Sequence, residues 1–134
     1  KVPRDAILVM IADFKGDEIG TYVSPLAQSR MSPDQLVQEV RRALDAACAA
    51  LDMSPDQIAG LSLGMPGFVN GESSFMHWSS SVTERNVNFA PLFRRDLPCP
   101  QWRQVIPTRL GRSLHRAIGR LAHVPVACAC AVDL

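Results

Sequence analysis

The chain lacks a large net charge, a long apolar run and a usable set of metal-ligating cysteines, and each absence narrows what it can be. Fourteen Lys and Arg against 13 Asp and Glu leave a formal charge of +1 over 134 residues. No global basic field therefore marks it for nucleic acid. No apolar stretch reaches the roughly 18 residues of a membrane-spanning helix, so no membrane association is expected. The opening Lys1-Val2-Pro3-Arg4-Asp5 has no small-residue cleavage pattern after it, and no signal peptide is expected. The cysteines are Cys48, Cys99, Cys128 and Cys130. Cys128-Ala129-Cys130 is too tightly spaced for a normal zinc pair, with no second pair and suitable histidines nearby. The expectation is no metal, no cofactor, and reduced thiols in a cytoplasmic protein. No internal repeat or low-complexity linker is visible, and the length suits one domain over residues 1–134.

What is present is an ordinary globular composition, 47% hydrophobic and 20% charged, organised around Ile58 to Glu72. Ile58-Ala59-Gly60-Leu61-Ser62-Leu63-Gly64 has the length and type of a buried strand. Pro66 removes a donor and Gly67 permits φ > 0, so the strand must end and turn at Met65-Pro66-Gly67. Phe68-Val69 and a second turn at Asn70-Gly71 follow. Small residues at the carboxyl end of a strand let another group approach the backbone, and ligands bind at that end of open α/β sheets. The residues themselves equally suit a tight strand-to-strand turn with no ligand.

Upstream, Ala6–Ala12 reads as a strand buried on both faces. Phe14-Lys15-Gly16-Asp17 reads as a hairpin turn, and Glu18–Val23 as the return strand, with Ile19 and Thr21 on one face and Tyr22 on the other. Ser32-Pro33-Asp34-Gln35 has the form of a capping box. The spacing of Leu36, Val40, Ala43, Leu44, Ala47 and Leu51 predicts a helix to about Leu51. Cys48 is its buried apolar filler. Ser54-Pro55-Asp56-Gln57 repeats the cap but leads at once into a strand, so it predicts a short turn. Downstream, Ser73–Ser81 reads as a short strand or exposed loop. His77 and Trp78 among serines suit stacking on and bonding to a sugar ring; Trp78 as a lid on the core, with His77 at the surface, is the reading the residues favour. Pro91–Leu97 predicts a short helix and Thr108–Leu121 a longer one. Ala127–Val132 predicts a small-residue strand. The arginines after Phe93 suit either the solvated face of a helix or a phosphate contact.

Three of these segments together resemble the ROK family of repressors, open reading frames and sugar kinases. The apolar strand ending Gly64-Met65-Pro66-Gly67-Phe68-Val69 with Trp78 beyond it is one; Ile11–Ile19 and Asn86–Phe93 are the others. The resemblance covers roughly residues 6 to 97. It implies an α/β fold, a ribonuclease-H-like (actin-like ATPase) lobe with a mixed sheet and flanking helices. The candidate ligand-binding residues, read from the strand-end turn and the aromatic segment beyond it, are Gly64, Pro66, Gly67, His77 and Trp78. The resemblance also implies an Asp-x-Gly-Gly-Thr phosphate loop after a first strand, which Asp13-Phe14-Lys15-Gly16-Asp17 imitates poorly. The catalytic Asp is expected after a Pro-Val pair, yet Pro125-Val126 is followed by Ala127-Cys128-Ala129-Cys130. Phosphoryl transfer without that carboxylate has no general base, so no catalytic residue is assigned. Residues 98–123 depart from the family pattern.

The expected function is therefore the sugar-sensing lobe of a ROK-type transcriptional regulator, with a small sugar as effector and DNA contacted only through a domain absent from this chain. The alternatives are a ROK sugar-kinase fragment and a non-catalytic dimerisation module. In the family's sheet the first strand separates the second from the fourth. Its absence predicts that Ala6–Ala12 and Ile58–Gly64 either pair directly or recruit a second chain, and a homodimer is the expectation.

Overall fold

The computed structural model describes residues 6–13, 17–58, 60–70, 73–97, 102–107 and 126–133, with the last two segments described by backbone alone. Its strands are β1 (Ala6–Asp13), β2 (Glu18–Pro25), β3 (Gly60–Met65), β4 (Phe68–Asn70), β5 (Phe75–Trp78), β6 (Val87–Asn88), β7 (Trp102–Pro107) and β8 (Val126–Asp133); its helices are α1 (Pro33–Ala50) and α2 (Ala90–Asp96). The fold is mixed α/β.

α1 begins where the sequence requires. The Ser32 Oγ accepts the Gln35 N–H at 3.2 Å, and the Gln35 Oε1 accepts the Ser32 N–H at 3.1 Å, satisfying two donors that a helix start leaves open. Leu36, Val37, Val40, Ala43, Leu44, Ala47 and Cys48 form its buried stripe. The helix ends in a left-handed residue, Asp52 at φ 56°. The Met53 N–H then reaches back to the Cys48 carbonyl at 2.8 Å, and the Asp52 N–H to that of Ala49 at 3.3 Å. That bond pair is a Schellman ending, built on an aspartate where glycine is usual. Ser54–Gln57 caps a single 3-10 turn, as its brevity predicts.

The main sheet runs β2-β1-β8-β3-β7. β1 is antiparallel to β2, from Ala6↔Pro25 to Ala12↔Glu18, and antiparallel to β8, from Ala6↔Asp133 to Asp13↔Val126. β3 is parallel to β8 on one side and to β7 on the other. The Asp13 N–H donates to the Asp17 carbonyl at 2.9 Å and closes the β1–β2 hairpin. Residues 14–16 of the expected turn lie outside the described residues. A second, three-stranded antiparallel sheet runs β4-β5-β6. Between α1 and the main sheet, Ile7, Val9 and Ile11 meet Leu61, Leu63 and Met65, and Phe89, Phe93 and Met76 extend the same core. Tertiary burial of these side chains contributes more than helix propensity does, at roughly 1.5–3 kcal/mol for each fully buried large side chain.

Three expectations are corrected here. First, β1 and β3 neither pair directly nor stand open: β8 lies between them, antiparallel to one and parallel to the other. Its eight residues cover the donors and acceptors that a missing strand was expected to expose, which removes that reason for a homodimer. Second, the Val126 segment, expected to carry the catalytic-base position, takes the place expected of the first strand. One strand cannot hold both. Third, Trp102–Pro107 is a strand, β7, inside a segment for which no strand was expected. The helix expected from Thr108 and the residues Pro98, Cys99 and Pro100 lie outside the described residues.

Candidate ligand-binding site

The carboxyl ends of the parallel strands meet at one edge of the main sheet. Register places Met65 beside Pro107, and Gly64 beside Ala131, two residues before Asp133. From Met65 the chain turns through Pro66 and Gly67 into β4. Gly67 has φ +130°, the conformation expected of it. A Cβ there would stand 2.8 Å from the Ser79 Cα and closer still to the Trp78 carbonyl oxygen. The group that needs glycine's missing side chain is thus the protein's own backbone at the end of β5.

The hairpin register then distributes the aromatics. Phe68 pairs with Trp78, Val69 with Met76 and Asn70 with Phe75, with a slip after Phe68. Side chains alternate along a strand. Met76 is buried, and Trp78 shares its side of β5; Phe75 and His77 share the other, their rings 4.8 Å apart and edge-on. Phe68 and Trp78 stand at the turn with ring centroids 6.4 Å apart, tilted by 49°. Trp78 is 38% exposed and Phe68 71% exposed. Trp78 is consequently not a lid closed over the core, which is a correction: the slip that seats Gly67 against the end of β5 carries Trp78 to the rim.

The five sequence candidates therefore divide. Pro66 and Gly67 are half-buried at the turn, and the Trp78 backbone lies against Gly67. Gly64 is buried inside β3, between Ile106 of β7 and Ala131 of β8. His77 is exposed on the opposite side of β5 from Trp78. Phe68 was missed, although the Asn70-Gly71 turn already implied a hairpin that returns Trp78 to it.

Arg95 and Arg41 are committed to contacts within and between α1 and α2. Arg95 donates to Asp34 at 2.6 Å and to Asp96 at 2.7 Å, tying α2 to the start of α1. The Arg95 guanidinium holds the Asp96 carboxyl below its ordinary value of 3.8. Arg41 donates to the Asp96 carbonyl at 2.7 Å and to the Asp45 carboxylate at 3.3 Å. Of the basic run, Arg95 serves internal ion pairs. A cleft of about 120 Å³ between Leu26–Met31 and the first turns of α1 contains none of the candidates. It is smaller than the roughly 300 Å³ at which small-molecule sites begin. Among the described residues, no group of three His, Cys, Asp or Glu could hold a metal ion, and no helix is long and apolar enough to cross a membrane.

Compared with known protein families, curated proteins and solved structures, the chain matches none of them.

Proposed function

We propose that this domain senses a small sugar at the β3–β4 turn, as the effector lobe of a ROK-type transcriptional regulator. The observation that carries the reading is the exposed Trp78–Phe68 pair beside the half-buried Pro66-Gly67 turn, at the carboxyl edge of three parallel strands. An aromatic face covers the apolar side of a pyranose ring, and the strand-end backbone offers it polar partners. The main sheet's order agrees with the ribonuclease-H-like lobe that the resemblance implies, with β8 where that lobe has its first strand. Titration of the domain with a panel of hexoses, followed by tryptophan fluorescence, tests the reading. A saturable change with a subset of sugars, lost in Trp78→Ala, is expected; no saturable change with any sugar, at concentrations to the solubility limit, defeats it.

The sugar-kinase alternative gains one specific observation: Asp133 stands at the carboxyl end of β8, where the resemblance puts the aspartate that opens a phosphate loop. Sugar-dependent ADP release from ATP and magnesium, above a heat-inactivated control, favours the kinase over the sensor.

A further inference from the structure

We infer that the outer edge of β2 is a self-association surface, on which β2 of a second copy adds in antiparallel register about a two-fold axis through Thr21. β2 ends the main sheet, and among the described residues no strand lies beyond it. Natural edge strands are blunted by inward charges, lysines or prolines. Here the only charge is Glu18 at one end and the only proline is Pro25 at the other; Ile19 to Ser24 carries neither. Its exposed large hydrophobics are Ile19, 43% exposed, and Val23, 37% exposed. They are four residues apart on one face, with Thr21 midway.

That spacing selects one register. With Thr21 opposite Thr21 of the second copy, each Ile19 faces a Val23 across the axis, and each Gly20 faces a Tyr22. Apolar β-branched pairs and a Thr–Thr pair stabilise antiparallel strands, and an aromatic across a glycine covers the gap it leaves. Shifting by two residues in either direction separates Ile19 from Val23. Shifting by one places the two α1 layers on opposite faces of the joined sheet. The chosen register also matches outer face to outer face, so the half-buried Leu8 and Met10 of the two copies flank the same apolar strip. Ile19 to Ser24 itself carries no charge; the nearest is the Glu18 carboxylate, which accepts the Thr21 hydroxyl beside the axis. The contact is isologous and therefore closes at two copies rather than growing into a filament. At the sheet's other edge, β4 lies against β7, so head-to-tail addition of β2 onto β7 is disfavoured.

Sedimentation equilibrium from about 1 to about 100 μM, the range in which an interface below the standard ~1,600 Å² dissociates, tests the contact. The parent is expected to double its mass across that range. Thr21→Glu should stay monomeric throughout while melting close to the parent, since position 21 is exposed and the two added carboxylates, beside the Glu18 pair, then face each other at the axis. Under mild oxidation Thr21→Cys should give a covalent dimer above the parent's background, and Glu18→Cys should not, because Glu18 faces Ser24 in this register. A parent monomeric at the highest concentration overturns the proposal and leaves this edge to a strand from a different protein. A dimer that survives Thr21→Glu, or crosslinks equally through Glu18→Cys, overturns it too.

Discussion

The Trp78 carbonyl oxygen occupies the space where Gly67 would carry a side chain. The constraint is doubled by φ +130° at Gly67, a region that L residues rarely adopt. Gly67→Ala should lower unfolding free energy by at least about 2 kcal/mol, from strain alone, and the midpoint of a thermal melt by more than about 5 °C. A variant that melts within a degree of the parent would show that the turn relaxes without cost.

Gly20 makes an instructive contrast. A Cβ there would stand 2.8 Å from the Leu51 Cδ1 and closer still to its Cδ2, the far ends of a flexible side chain, and no positive φ applies. Gly20→Ala should cost no more than about 1.5 kcal/mol, because Leu51 can change rotamer. Urea melts of the two variants side by side give the comparison; an equal loss at both positions contradicts the distinction between backbone and side-chain obstruction.

At the end of α1, Asp52 holds a left-handed conformation that favours glycine. Asp52→Gly should stabilise the domain by about 0.5–1 kcal/mol, the relief of strain exceeding glycine's added freedom in the unfolded chain. At the other end, Ser32→Ala should destabilise by about 1 kcal/mol through loss of the cap. Opposite signs in one denaturation series are expected; a destabilised Asp52→Gly would mean that its carboxylate matters more than its φ.

The Arg95–Asp96 pair makes a directional pH prediction. Asp96 has a lowered carboxyl pKa in the folded state, first because Arg95 hydrogen-bonds it. Its contribution is therefore complete above the ordinary value of 3.8 and is lost as pH falls through the lower folded value. Arg95 is 57% exposed, so salt screens the pair and the effect is small. The stability difference between parent and Arg95→Gln should be constant near neutrality and shrink below pH ~4. A difference that persists unchanged in acid would assign it to Arg95 packing.

Trp78 and His77 should behave differently toward sugar. They are consecutive on β5 and point to opposite sides. Trp78→Ala should abolish a sugar-induced change, read by calorimetry in the variant, while His77→Ala leaves the dissociation constant within about twofold, since surface substitutions away from a site are nearly neutral. Equal losses in both would place the sugar elsewhere.

Local chemistry by itself determined α1, its Ser32–Gln35 cap, the buried strands β1 and β3, and the left-handed turn at Gly67. Each depends on residues within a few positions: a hydroxyl three residues from an amide, an apolar run without a breaker, a proline beside a glycine. The tertiary structure alone decided that Val126–Asp133 lies between β1 and β3. That pairing joins residues more than a hundred positions apart, and strand propensity carries no information about which neighbour a strand will meet. β7 was hidden for a related reason. Arg103 and Gln104 interrupt its apolar pattern, and pairing with β3, not periodicity, makes Trp102–Pro107 a strand. The candidate site divides along the same line. Alternation along β5 was legible enough to separate His77 from Trp78, whereas the exposure of Trp78 was not. It depends on the register slip after Phe68, and on a backbone approach that only Gly67 permits.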